Sequence, residues 1–256
     1  MIEINGARIV DINAHNIDQY PEVVCFINKK NEFHHIKVDW LKQRFTEGLK
    51  IKLLIPDGEK KAAGFIEYVP GENAWRGVDA PGYMFVHCIW VSPNKFRGRG
   101  YGSALAGECI SEAREMGMSG VAVVSGGSFM AENDLFLKNG FVSEAKTKSG
   151  HELLSLKFGK SEPPVLRDVE KQLQKYNGLH IVYSDQCPWV SRFMRESKEI
   201  IDQYGIKIEI HKIKTSEDAQ NTPSVYSAFN LVHNGKILAD HYISCTRFKN
   251  ILNKLR

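Results

Sequence analysis

Along this chain, stretches where apolar residues recur at every second position alternate with stretches where they recur at every third or fourth. Residues 2–10, 51–56, 62–69 and 83–92 read as strands, the middle two joined by the turn PDGEKK. Residues 32–47 place Ile36, Trp40, Leu41 and Phe45 on one helical face, with Asn31 available as N-cap and Gly48 as a stop. The stretch PGENAWRGVDAPG (70–82) fits neither period and reads as loop. A helix over 100–116, a strand over 120–125, a helix over 132–139 and a strand over 151–158 follow.

The pattern lapses in GKSEPPVLRDVEKQLQKYN (159–177), where Pro163 and Pro164 end any strand and DVEKQLQKY can form two helical turns. It resumes with a strand over 179–184, a helix over 189–204, a strand over 206–213, two strands within 225–243 and a helix over 246–254. The expected division is a first domain over 1–158, a linker over 159–177 and a second domain over 178–256. That linker lacks the glycine and serine of a flexible tether.

Composition narrows the class. With 43% hydrophobic and 25% charged residues the sequence is that of a globular protein, and its formal charge of +4 permits an anionic partner without requiring one. No apolar run approaches membrane-spanning length, and MIEINGARIVD does not read as a targeting segment, so no membrane partner is expected. The five cysteines are scattered and none forms a Cys-x-x-Cys pair, which suits a reducing cytoplasm.

The strongest chemical signal lies where YMFVHCIWVS gives way to RGRGYGSAL (97–105). A strand, a glycine-rich turn and a helix start make an anion site, because first-turn amides lack intrahelical partners and the helix dipole favours negative charge there. Gly98, Gly100 and Gly102 let the backbone approach a phosphate, and Lys95, Arg97 and Arg99 add positive charge. The plain alternative is a flexible turn with ordinary surface cations. No Gly-Lys-Ser/Thr follows, so the turn is not a P-loop, and the tight glycine spacing is poor for a dinucleotide fingerprint.

The stretch VSPNKFRGRGYGSAL (91–105) resembles the coenzyme A signature of the GNAT superfamily of N-acetyltransferases, with Val91, Pro93, Arg97, Gly100 and Gly102 at the matching positions. The spacer between Pro93 and Arg97 is one residue longer than that pattern. AENDLFLKNGF (131–141) is similar to the family's late Leu-Tyr-x-x-x-Gly-Phe segment. The resemblance implies a mixed, mostly antiparallel sheet with helices on both faces over 1–158. It also implies acetyl-CoA as cosubstrate, with its pyrophosphate on the amides of Arg97, Gly98, Arg99, Gly100, Tyr101 and Gly102 and its pantetheine arm beside Val91. The implied activity is transfer of an acetyl group to the amine of a small molecule or peptide. A non-catalytic acyl-CoA sensor remains the alternative.

Acetyl transfer to an amine needs a proton acceptor. His87, four residues before Val91, stands where several such enzymes place a base, and Glu67 in GFIEYV is the rival. Strict alternation would put Phe85, His87, Ile89 and Val91 on one face, with Val86, Cys88 and Trp90 on the other. Where the family often has a tyrosine acid this chain has Phe136, leaving Ser128 and Tyr101 as substitutes. Trp40, Trp75 and Tyr83 suggest an aromatic acceptor lining.

In the last third, HIVYSDQCPWVSRFM sets Cys187 between a strand and a helix, where terminal amides can stabilise a thiolate. It resembles the active-site turn of thioredoxin-like proteins, with Cys187 and Pro188 matching, Val190 replacing the second cysteine, and Thr222-Pro223 at the cis-proline corner. The implied fold is a small thioredoxin-like α/β domain, and a bacterial acetyltransferase bearing such an extension. A thiol-dependent redox role at Cys187 stays open beside a structural one. No metal site is expected, since His34-His35 and His87-Cys88 lack tetrahedral spacing. No nucleic-acid partner is expected either, because the basic residues cluster at the turn.

Overall fold

The computed structural model describes residues 2–4, 6–126 and 133–255. The chain forms two compact units: one of residues 1–31, 41–74 and 78–166, the other of residues 32–40, 75–77 and 167–256.

The elements of the first part run β1 (Ile2–Ile4), β2 (Ala7–Ile12), α1 (Phe33–Phe45), β3 (Lys50–Pro56), β4 (Gly64–Pro70), β5 (Val78–Asp79), β6 (Tyr83–Val91), α2 (Tyr101–Glu115), β7 (Gly120–Gly126), α3 (Asn133–Lys138), β8 (Val142–Lys146), β9 (His151–Lys157) and β10 (Val165–Leu166). Eight strands make one sheet in the order β1-β2-β3-β4-β6-β7-β9-β8, antiparallel throughout except for the parallel β6–β7 pair. β5 and β10 pair separately, so residues 165–166 of the expected linker are strand. The expected 2–10 strand is a hairpin, turned at Gly6 with φ +79°. Among the described residues, Ser92–Pro93 is the cis peptide, and Thr222–Pro223 is not.

Helix α2 lies on one face of the sheet. Leu105, Ala106, Cys109 and Ala113 pack against Ile66, Tyr68, Met84, Val86 and Ile89, all buried. A polar bolt secures the same face: Glu112 accepts from Lys50 and from the Tyr68 hydroxyl, and Lys52 lies 3.3 Å from Glu112 and 2.6 Å from Asp11. Burial pulls the Glu112 carboxyl upward, but the bonds from Lys50 and Tyr68 and the charges of Lys52 and Lys50 outweigh it and hold the group below its ordinary 4.5. A carboxyl lowered on folding stabilises the native state above its unfolded pKa, and that contribution disappears as pH falls through the folded value. Wild-type stability should therefore fall as pH drops below 4.5, and Glu112→Gln, though less stable at neutral pH, should show a flatter dependence there, checked by urea midpoints across that range.

The second unit adds α4 (Val169–Leu173), β11 (Leu179–Tyr183), α5 (Pro188–Tyr204), β12 (Ile208–Lys212), α6 (Ser216–Gln220), β13 (Phe229–His233), β14 (Lys236–Ala239) and α7 (Cys245–Leu255). Its sheet has the order β12-β11-β13-β14, with β11 and β12 parallel and the remaining pairs antiparallel. Leu179 and Ile181 share a core with Val190, Phe193 and Ile200 of α5 and Phe248 and Leu252 of α7. Asp168 caps α4 through Lys171 N, and Thr215 forms a capping box with Asp218 at the start of α6. No helix of the described residues is long and apolar enough to cross a membrane.

Candidate functional site

Strand β6 ends at Val91 and passes through one tight turn at Asn94–Phe96, where Phe96 N donates to Pro93 O and Arg97 N to Asn94 O. Gly98 and Gly100 follow in the left-handed region, at φ +74° and +79°, and Gly100 is the N-cap of α2. A Cβ at either glycine would meet nothing within 4 Å, so the turn's backbone faces open space. The first helical bond runs from Ala104 N to Gly100 O. The amides of Tyr101, Gly102 and Ser103 therefore precede any acceptor within the helix. Arg97, Gly98, Arg99 and Gly100 are exposed, whereas the Tyr101 ring turns into the core. Gly102 serves packing: a Cβ there would come within 3.1 Å of Leu135 on α3.

The sheet opens beside this turn. β6 and β7 pair only from Tyr83↔Gly120 to Val86↔Val123. Beyond that point β6 stays with β4 as far as Val91↔Gly64, and β7 stays with β9 as far as Gly126↔His151. The backbone of residues 87–91 is thus released from β7 on the side leading to the glycine turn.

His87 is the first residue past the split. It is also a β-bulge, since Tyr68 faces Val86 while Glu67 faces Cys88, leaving His87 as the extra residue. The bulge corrects the expected alternation: Val86 shares the α2 face with Ile89 and half-buried Val91. The His87 ring packs near Phe85, 6.0 Å between centroids. Its Nδ1 is 3.3 Å from Glu67 Oε1, and both side chains are sealed from solvent. The two candidate bases, read from sequence as rivals, form one pair.

A cavity of about 550 Å³ lies beside the turn, lined by Pro21, Glu22, Phe26, Lys61, Pro93 and Phe96 among others. Cys25 and Phe26 both have positive φ, 50° and 57°, rare for residues with side chains. Phe26 packs 5.9 Å from Phe65, the neighbour of Glu67 two residues along β4. Sequence reasoning missed this cavity, because residues 13–31 match no motif or period.

The remaining expectations divide. Phe136 is core, edge-on to Phe141 at 5.3 Å, and Tyr101 Oη is directed at Gly6 O at 3.4 Å. Ser128 lies outside the described residues. Trp40, Trp75 and Tyr83 are buried rather than lining a cleft: the two tryptophans pack edge to face at 5.1 Å in the second unit, and Tyr83 donates to Glu162 O in the first.

Cys187 is the N-cap of α5, with the amides of Val190 and Trp189 beside it; no amide bonds its side chain, and its carbonyl accepts from Val190 N at 3.0 Å. Burial pushes its thiol up from the ordinary 9.0, against the opposing pull of those amides and of Lys37 and Arg76. Arg76 is itself buried, donating to Gln186 Oε1 at 2.5 Å with its guanidinium 4.6 Å from the Tyr226 ring centroid. The expected thiolate stabilisation is thus outweighed by desolvation. Iodoacetamide should modify Cys187 in the folded protein more slowly than a free thiol at neutral pH, which peptide mapping after timed alkylation would check.

The model of the acetyltransferase (GNAT) family matches residues 18–141, and a YoaP-like family model matches residues 207–250. The protein named uncharacterized N-acetyltransferase YoaP, from Bacillus subtilis (strain 168), is 26% identical over 253 residues, spanning 96% of this chain and 98% of that one. A GNAT-family acetyltransferase structure from Staphylococcus aureus Mu50 covers 60% of this chain with 99% of its own at 16% identity and a TM-score of 0.44. A GNAT-family acetyltransferase from Brucella melitensis, solved in complex with acetyl-CoA, covers 61% with 91% of its own at 20% identity and a TM-score of 0.40. Residues 18–141 are thus similar to the GNAT-family acetyltransferases, and a bacterial homologue aligns along almost the whole length of the chain.

Proposed function

We propose that this N-acetyltransferase takes its acetyl group from acetyl-CoA held at residues 97–102 and passes it to the amine of a small molecule or peptide, with the Glu67–His87 pair as proton acceptor. The observation carrying this reading is a coincidence at one strand end. The β6–β7 ladder stops at Val86, the bulged His87 comes next with Glu67 at 3.3 Å, and the strand then leads into the left-handed glycine turn.

Acetyl-CoA supplies the activated thioester. The turn fits its pyrophosphate because the backbone at Gly98 and Gly100 is open, the α2 amides point out of the helix start, and Arg97 and Arg99 lend charge. The backbone of residues 87–91, released from β7, is available to the pantetheine arm. An amine reaches the site as an ammonium at neutral pH and must lose a proton before it can attack. The His87 imidazole accepts that proton, directly or through water, and the Glu67 carboxylate stabilises the resulting cation. Phe136 offers no hydroxyl, so this chain supplies no side-chain acid at that position. The cavity beside Phe26 and Pro93 is the acceptor's entry.

The second unit reads as a thioredoxin-like module, supported by its strand order and by Cys187 at a helix start. Val190 in place of a second thiol, together with the raised Cys187 pKa, favours a structural or substrate-positioning role over dithiol exchange. The division of the chain into an acetyltransferase domain over 1–158 and this module over 178–256 belongs to the same proposal.

Incubating the full chain with acetyl-CoA and a panel of primary amines, amino acids and peptides tests the reading. Coenzyme A release that depends on the amine, with the acetylated product seen by mass, supports it. Tight acetyl-CoA binding with no turnover across the panel would instead mark an acyl-CoA sensor.

A further inference from the structure

The second unit holds a cluster that acetyl transfer does not use. His180 on β11 and Glu209 on β12 are direct partners in the parallel ladder, and His211 is two residues along β12. Leu179 and Ile181 face the core shared with α5 and α7, so alternation turns His180 to the opposite face. Glu209 and His211 share that face.

Three atoms converge there. His180 Nδ1 lies 3.0 Å from His211 Nε2 and 3.7 Å from Glu209 Oε2, and His211 Nε2 lies 4.0 Å from Glu209 Oε2. Ligands at about 2.0–2.1 Å from a tetrahedral zinc ion are about 3.3 Å apart, a spacing these distances bracket. His180 Nε2 donates to Asn177 O at 2.8 Å, which fixes the tautomer and leaves the Nδ1 lone pair facing the other two groups. His180 is 5% exposed, and the Tyr176 ring stands edge-on to both imidazoles, at 5.1 and 6.0 Å. Glu209 and His211 are half exposed, leaving room for water or another ligand. Lys207 Nζ approaches the other carboxylate oxygen, Oε1, at 3.9 Å.

We propose that His180, Glu209 and His211 form a divalent metal site of the zinc type, clipping the edge strand β12 to β11 and leaving a coordination position open to solvent. This departs from the sequence expectation, because His180 is distant along the chain and only the parallel register brings it to the pair on β12. Two imidazoles and one carboxylate suit zinc or a neighbouring transition ion better than calcium or magnesium, which prefer all-oxygen sets. In the absence of metal, the proton on His211 Nε2 bonds the Nδ1 of His180; a bound ion displaces it.

Titrating the full-length protein with Zn²⁺ by calorimetry, and with Co²⁺ by visible absorption, tests the site. The expected result is one high-affinity ion per chain, d–d bands of a four- or five-coordinate Co²⁺, and no thiolate charge-transfer band. His211→Ala should weaken binding by at least tenfold, since removal of outer-shell partners alone costs about 10–100-fold. His211 is half exposed, so this variant keeps the core intact, and Glu209→Gln provides a second surface test. A His211→Ala variant that binds Zn²⁺ as the parent does, a thiolate band from cysteine ligation, or no stoichiometric binding would each overturn the site.

Discussion

Glu67→Gln should lower the amine-dependent kcat by about 10²–10⁴ while leaving acetyl-CoA affinity unchanged, the range expected when a general base is lost. The substitution is nearly isosteric and keeps a hydrogen-bonding group beside His87, so the sealed pair keeps its packing. His87→Gln should fall in the same range. Because the two side chains lie 3.3 Å apart and are proposed to act on one proton, the double variant should lose little more than either single one. Circular dichroism would establish that each variant folds, and steady-state kinetics with a saturating acceptor would measure the effect. A kcat within twofold of the parent for both single variants would remove the pair from the mechanism.

Gly100→Val should weaken acetyl-CoA binding at least about tenfold, an effect worth about 1.4 kcal/mol. Space does not limit this position, since an added Cβ would meet nothing within 4 Å. Conformation does. A φ of +79° costs an ordinary L-residue about 1–2 kcal/mol and a β-branched one more, so valine should pull the turn out of the shape that presents the α2 amides. Gly107, in the interior of the same helix, separates this cause from a general effect on α2. It too has open space around its Cβ position but no positive φ, so Gly107→Ala should stabilise the protein by about 1 kcal/mol and leave cofactor affinity alone. Calorimetry with acetyl-CoA on both variants is the measurement. Equal affinity for Gly100→Val and the parent would move the pyrophosphate away from this turn.

How far the sequence showed all this depends on how local each feature is. The glycine turn was fully legible, because its residues are consecutive and its flanks are a strand and a helix. β8 was not: VSEAK has no apolar alternation and is strand because β9 pairs with it across the hairpin. The bulge at His87 was hidden for the opposite reason. YMFVHCIWV is apolar at nearly every position, as befits a strand covered on both faces, so no alternation reveals a slipped register. The candidate bases could be read as residues, but their pairing could not, since it depends on the bulge. The cavity draws residues from 21 to 96 and lacked any sequence signal. The His180, Glu209 and His211 cluster required the register of two parallel strands, which no spacing within one segment encodes.

The bulge also means that His87 is an insertion in the reading frame of β6. Omit it, and Met84, Val86, Ile89 and Val91 fall at strictly alternate places, the frame in which they already meet the α2 face. The strand's packing is therefore written in two in-phase halves with one surplus residue between them. Substitution at the surplus position leaves that phase intact, so reactivity at the strand's midpoint can change without re-registering the sheet. The residue proposed to take the proton is the one that the strand's packing frame can spare.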